Sequence, residues 1–382
     1  MKGINMIYFD NSATTKPYKE VIELIARLMS EEFGNSTSLH TLGLRAERLL
    51  EDTRDSLAST IKAKPEELVF TSGGTESVNM ALRGAAEILK RSGNHILSSP
   101  VEHSAALESL KELERIGYHV EYLEVDKYGR ILLDDLRAKL KKDTIMVNIM
   151  AVNNELGTIE PVNEAAHIIK SNNRATIFHV DAVQAYGKIP INTMDLNADL
   201  ISFSSHKIHG PKGVGMLYIR KGARIHPLMM GGGHERKLRS GTVNVPCIAG
   251  FGLAASMKLE RMQQDQKRNS RIRDILIKEL ANSLSTGIRI NSPEDGVENI
   301  LNISFKGIKS ETLLHFLEMR EIYVSSGSAC SSRKNAVSHV LKAAKIPRQW
   351  AEGAIRFSFG SFNTEKEAVI TADAIKEIIN IM

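Results

Sequence analysis

The residue best placed for covalent chemistry is a lysine in the run Ser204-Ser205-His206-Lys207-Ile208-His209-Gly210-Pro211-Lys212-Gly213. Residues 198–204 before it read as one strand and residues 214–219 after it as another, with Gly-Pro-x-Gly between them. A lysine held partly desolvated at such a junction changes its pKa readily and forms Schiff bases with carbonyl compounds, so Lys207 is the candidate and Lys212 reads as a solvated charge. Pyridoxal phosphate is a cofactor that needs such a residue.

Other residues could serve the same chemistry. Ser72-Gly73-Gly74-Thr75-Glu76-Ser77 follows a strand and opens a helix predicted over residues 78–90. Free backbone N–H groups and the helix dipole meet there, which suits a phosphate, and Thr75 can be either a helix cap or a phosphate ligand. Asp181 stands just past an apolar strand, where open α/β sheets bind ligands; it can reach a pyridinium nitrogen or cap the next helix. His103, in Glu102-His103-Ser104, also lies at a strand-to-helix junction, and could stack on a flat ring, shuttle protons or do neither. Cys330 sits in Ser325-Ser326-Gly327-Ser328-Ala329-Cys330-Ser331-Ser332 with Arg333 and Lys334 behind it, a setting that favours the nucleophilic thiolate. Cys247, at the start of an apolar helix, reads as a packing residue.

These residues need a frame. From about residue 17 to 257, helix-period segments alternate with short β-rich runs at 68–71, 94–98, 120–123, 144–149 and 175–180, the pattern of a mostly parallel α/β sheet. Residues 251–281 then read as one long charged helix, after which β runs return at 288–290, 300–305 and 355–359 in a smaller α+β unit.

The composition narrows the functional classes. The chain has 382 residues, with Lys plus Arg 50 against Asp plus Glu 45 and a formal charge of +5 spread without a basic block, so nucleic-acid binding is not indicated. No signal-peptide pattern opens the chain and no apolar run has the length of a membrane span, so a soluble cytoplasmic protein is expected. The two cysteines have dissimilar surroundings, which argues against a structural disulfide, and without CxxC or HxxxH spacing no metal is expected.

Taken together, the motifs resemble the NifS/IscS-like cysteine desulfurases of the class V aminotransferase group. The resemblance spans essentially the whole chain. Besides the segments already named, it rests on Tyr8-Phe9-Asp10-Asn11-Ser12-Ala13-Thr14-Thr15, Gly34-Asn35, Val152-Asn153-Asn154-Glu155-Leu156-Gly157, His179-Val180-Asp181-Ala182-Val183-Gln184, Gly231-Gly232-Gly233-His234-Glu235-Arg236, Arg239-Ser240-Gly241-Thr242 and Ile355-Arg356-Phe357-Ser358.

The resemblance implies the fold type I of pyridoxal-phosphate enzymes. Its large α/β domain, over 14–258, has a mostly parallel seven-stranded sheet, and its small α+β domain, over 1–13 and 259–382, carries the cysteine loop. It further implies pyridoxal 5'-phosphate on Lys207, its phosphate held by Gly74, Thr75, Ser204 and His206. Asp181 pairs with the ring nitrogen, Gln184 and Asn154 contact the ring hydroxyl side, and His103 stacks on the ring and relays protons. Thr242 reaches the phosphate of the neighbouring subunit, so the resemblance implies a homodimer. Asn35 and Arg356 grip the substrate carboxylate.

The implied reaction takes sulfur from L-cysteine: Lys207 removes the Cα proton, Cys330 attacks the substrate sulfur, and the products are alanine and a Cys330 persulfide. That persulfide passes to an acceptor protein such as an iron–sulfur scaffold or a tRNA sulfurtransferase. In a selenocysteine lyase or other class V lyase on the same scaffold the loop thiol is less important, and a phosphoserine-type aminotransferase does not need it. The chain departs from the family pattern at Ser36, Thr37, Val183, Glu160, where Gln is usual, Lys237, where Gly is common, and Ser361, where Arg is frequent.

Overall fold

A computed structural model describes residues 6–284, 287–326 and 337–381. Its largest sheet has seven strands, in the spatial order Leu68–Thr71, Gly215–Ile219, Leu200–Ser204, Ile177–Asp181, Thr144–Met150, His95–Ser98 and His119–Tyr122. Gly215–Ile219 runs antiparallel to both of its neighbours, and the pairings from Leu200–Ser204 out to His119–Tyr122 are all parallel. The interior strands are apolar because helices cover both faces: every residue of Thr144–Met150, Ile177–Asp181 and Leu200–Ser204 is buried.

This topology gathers the candidate residues at one edge. Thr71, Ser98, Met150, Asp181 and Ser204 are the last residues of strands that point the same way. The chain therefore leaves a common edge of the sheet into the segments that carry Gly74, His103, Asn154, Gln184 and Lys207. The carboxyl ends of parallel strands are where open α/β sheets bind their ligands.

A four-stranded antiparallel sheet stands beside the first, in the order Ser325–Ser326, Ala354–Ser358, Ile300–Phe305 and Ile288–Ile290. Ile7–Tyr8 pairs in parallel with Ile322–Tyr323, and Asp10 bridges to Ser358. The N-terminal segment is thereby fixed to the C-terminal part of the chain. A separate apolar core lies here, with Phe9, Leu276, Leu280, Phe357 and Ile375 among its members. Truncating a buried leucine such as Leu276 to alanine costs about 2–5 kcal/mol.

Two boundaries differ from the sequence expectation. The single helix expected over residues 251–281 is two, Val245–Glu260 and Met262–Ser283, which meet at Arg261. The first packs Ile248, Phe251 and Ala255 into the core of the large sheet, and the second packs Ile272, Leu276 and Leu280 into the other core. The change of burial direction requires a break, and Arg261 supplies it with φ −91° and ψ −2°. The helix expected from residue 78 begins at Gly74 and runs to Leu89. Gly73 at φ 149° turns the chain sharply enough for the helix to start four positions earlier, so Thr75 is inside the first turn and is not its cap.

Candidate active site

Lys207 ends a short 3-10 turn, Ser205–Lys207, directly after the strand Leu200–Ser204. Its Nζ donates to the carbonyls of Ser12 at 2.6 Å and Ala13 at 2.8 Å. The N-terminal segment reaches this turn because Thr15 is held to the His206 carbonyl through both its N–H and its Oγ1, each at 2.9 Å. The Ser12 carbonyl also accepts from Gln184 Nε2 at 2.9 Å, and Gln184 Oε1 accepts from Lys188 Nζ. Lys207, Ser12, Gln184 and Lys188 thus form one hydrogen-bonded chain. Burial, then the charges of Lys207 and Lys258, push Lys188 well below the usual lysine range.

Asp181 is buried at the end of its strand and accepts from the Val183 N–H at 2.9 Å. Burial raises its pKa to about 6, opposed by the Val183 hydrogen bond and by Lys207. A cationic partner would bring it down and hold the carboxylate ionised. The helix-cap reading of this residue is not met: the next helix, Thr193–Leu196, is capped by Asn192, and Asp181 serves the turn at Val183 instead.

Gly74 opens its helix against the side of Ser204 and Val183: a Cβ on Gly74 would stand 2.8 Å from a Val183 methyl and 3.5 Å from the Ser204 Cβ. Ser204 Oγ is buried and has no hydrogen-bond partner among the described residues. A helix N-terminus of 16 residues and an unpaired hydroxyl therefore face the same narrow place, and Thr75 lies exposed beside it. The arrangement is one that an anionic group satisfies. His206, also at this turn, shares a hydrogen bond of 3.1 Å with Thr14 Oγ1, and burial together with Lys207 lowers its pKa to about 4.

His103 caps the helix Ser104–Arg115, its Nδ1 accepting from the Ala105 N–H at 3.1 Å. Burial, then Lys207 and His339, depress its pKa to about 4. The ring is neutral at pH 7, and with Nδ1 as acceptor the proton sits on Nε2. Arg356, buried in the second sheet, donates Nη2 to Asp10 Oδ1 at 2.7 Å and Nη1 to the Asn154 carbonyl at 2.9 Å. Its Nε has no partner among the described residues.

Other predicted residues are less engaged. Asn35 is exposed, and its Oδ1 accepts from the N–H and Oγ1 of Thr37. Thr242 is exposed and lines a pocket with Thr71, Ser72, Gly213 and Arg239. Cys330 lies outside the described residues; the strand Ser325–Ser326 that precedes it pairs with Ala354–Ser358, with Ser325 opposite Arg356. Cys247 packs against the large core, as its apolar context implied, and burial raises its pKa.

Sequence reasoning assigned no role to Asp10, Ser12, Ala13, Lys188 or His339. Asp10, Ser12 and Ala13 belong to a quoted motif, and Lys188 stands four residues after Gln184. His339 donates to the Glu102 carbonyl at 2.9 Å beside His103 and gives no local sequence signal.

The departures at Glu160 and Ser361 are accommodated. Glu160 is buried, accepts from the Ile131 N–H at 3.0 Å, and is raised to a pKa of about 8 chiefly by burial, so it stays protonated at neutral pH and resembles the amide of the family's glutamine. Ser361 Oγ bonds Asp265 at 2.6 Å and Tyr18 Oη at 2.9 Å, while Arg268 supplies a guanidinium to the same Asp265 at 2.6 Å.

The aminotransferase class-V family model matches residues 7–369. The cysteine desulfurase IscS of Dictyoglomus turgidum is 43% identical over 98% of this chain and 94% of its own length. A solved NifS-like protein superposes with a TM-score of 0.94 at 41% identity, covering 99% of this chain and 100% of that one. SspA, solved in complex with cysteine, superposes with a TM-score of 0.81 at 31% identity, over 92% of this chain and 98% of that one. The chain belongs to the aminotransferase class-V family, in its NifS/IscS-like group.

Proposed function

We propose that this protein is a cysteine desulfurase that binds pyridoxal phosphate, converts L-cysteine to L-alanine, and leaves the sulfur as a persulfide on Cys330. The observation that carries this reading is the convergence of Lys207, buried Asp181, the unpaired Ser204 hydroxyl and the Gly74 helix terminus at one sheet edge, with Arg356 entering from the second sheet. The likeness to SspA, a protein solved with cysteine bound, supports the substrate.

The residues fit the cofactor. Gly74, Thr75, Ser204 and His206 would hold its phosphate, Asp181 its ring nitrogen, His103 its ring face, and Gln184 and Asn154 its hydroxyl side. Bound there, pyridoxal phosphate supplies an electron sink for the charge left when the substrate loses its Cα proton.

Lys207 takes that proton at Nζ, and the Ser12 and Ala13 carbonyls keep the amine aimed at the site between turns. His103 is neutral at pH 7 with its one proton on Nε2, and it relays protons through a transient imidazolium: Nδ1 leaves the Ala105 N–H and takes up a proton as Nε2 passes one to the substrate. Arg356, fixed by Asp10 and Asn154, receives the substrate carboxylate with Asn35. Cys330 thiolate attacks the substrate sulfur: a sulfur–sulfur bond forms, the carbon–sulfur bond breaks, and its electron pair returns to carbon.

The working unit in this reading is a homodimer in which Thr242 of each protomer completes the phosphate site of the other. Residues 14–258 form the cofactor domain, with 1–13 and 259–382 as the second unit. The sulfur passes to an acceptor protein of iron–sulfur assembly or of tRNA or cofactor thiolation, in the cytoplasm; no helix among the described residues is long and apolar enough to cross a membrane.

Alanine and sulfide released from L-cysteine by the protein loaded with pyridoxal phosphate test this function. Stoichiometric alanine in the presence of a thiol reductant is expected, and Lys207→Ala should abolish it. Release that survives Lys207→Ala contradicts the assignment.

A further inference from the structure

At the opposite edge of the large sheet, the strands His95–Ser98 and His119–Tyr122 begin side by side. Their register pairs His95 with His119 and Leu97 with Glu121. Residues two apart on a strand share a face, so His95, His119 and Glu121 project to the same side. The imidazole rings stack with centroids 5.2 Å apart and 28° between planes. One ligand atom from each of the three residues lies within 4.8 Å of the others.

The cluster is built for a cation. Lys141 places its ammonium 2.8 Å from Glu121 Oε2 and 3.5 Å from His95 Nε2, so a positive charge already sits between carboxylate and imidazole. His95 is buried, and its Nδ1 is hydrogen-bonded to Thr144 Oγ1 at 2.8 Å. That leaves Nε2 turned toward Glu121 Oε2, 3.2 Å away. A metal-binding histidine has this form, with the second nitrogen fixed by an outer partner. The lysine side chain is 46% exposed and can withdraw.

We propose that His95, His119 and Glu121 form a binding site for a divalent transition-metal ion of the zinc type, in competition with the Lys141 ammonium. Two imidazoles and a carboxylate are a zinc ligand set that leaves a fourth, water-filled position; tetrahedral geometry asks for ligand atoms about 3.3 Å apart, within reach of side-chain rotation. Imidazole ligands select zinc, nickel or copper over magnesium and calcium. The bound ion ties the edge strand His119–Tyr122 to its neighbour, far from the Lys207 edge, and has no part in sulfur chemistry.

The test is equilibrium dialysis of the full-length holoenzyme against zinc sulfate, followed by metal analysis and thermal unfolding. We expect one zinc per chain, a raised unfolding temperature, and no such effect from magnesium. His119→Ala should weaken binding at least about tenfold, as loss of a ligand or its support does, while cysteine turnover is unchanged. Lys141→Met should tighten it by at least about tenfold, since the metal no longer displaces a bound cation. Retention of zinc by His119→Ala, an unchanged affinity in Lys141→Met, or loss of the zinc in Cys330→Ser overturns the proposal, the last by assigning the metal to the loop thiol.

Discussion

Arg356 Nη2 and Asp10 Oδ1 meet at 2.7 Å across 346 positions of sequence. Arg356 lies on Ala354–Ser358, the strand that Asp10 reaches through its bridge to Ser358. The same N-terminal segment supplies the Ser12 and Ala13 carbonyls to Lys207. One stretch of chain therefore positions both the proposed carboxylate grip and the proposed base.

Arg356→Lys keeps the charge and loses the planar fork that spans Asp10 and Asn154. The expected result is a 10- to 100-fold fall in kcat/KM for L-cysteine, about 1.4–2.8 kcal/mol, carried mainly by KM. Steady-state kinetics check it, and a loss confined to kcat speaks against a carboxylate grip.

His103→Gln removes the proton held on Nε2. A fall in kcat of about a hundredfold or more, with KM within about threefold, is expected for a proton relay. Because the His103 pKa is near 4, the wild-type rate should show no inflection from this group between pH 5 and 8. A rate unaffected by the substitution removes His103 from the mechanism.

Glu160 ties pH to stability. Its folded pKa of about 8 lies above the unfolded carboxyl value of 4.5, so the folded chain holds a proton that the unfolded chain releases. Stability from this group is therefore lost progressively as pH rises from 4.5 to about 8. Glu160→Gln removes that dependence and should stabilise the protein by up to about 3 kcal/mol at pH 7 and by little at pH 4. Urea unfolding of both proteins across this range measures it; an equal effect at both ends rejects a protonated Glu160.

Lys237 has φ 67°, in a run of left-handed residues with Glu235 at 44° and Arg236 at 57°. The family's usual glycine adopts that conformation without strain, whereas a lysine pays about 1–2 kcal/mol there. Allowing for the greater freedom of an unfolded glycine, Lys237→Gly should add about 0.5–1 kcal/mol in chemical unfolding. Destabilisation by this substitution means that the lysine side chain contributes more than the strain.

The sheet was legible because buried parallel strands are near-continuous apolar runs, as in Ile145-Met146-Val147. Lys207, Asp181 and His103 were legible because each carries its chemistry in its side chain at a strand end, and the resemblance added Arg356. The start of the helix at Gly74 was hidden, since two glycines in succession read as a loop until the turn at Gly73 is seen. The break at Arg261 had no glycine or proline to mark it; it follows from two cores that only the fold defines. Backbone carbonyls such as those of Ser12 and Ala13 leave no side-chain signature. The pairing of His95 with His119 depends on strand register, so spacing along the chain does not show it.

The central claim is that sulfur from L-cysteine comes to rest on Cys330. Mass spectrometry of the peptide that contains Cys330, taken after a single turnover without reductant, tests it most directly. The account predicts one added sulfur atom on Cys330, absent in Lys207→Ala, with one alanine formed per chain. Alanine formation at the wild-type rate by Cys330→Ser, or added sulfur found only on Cys247, contradicts it.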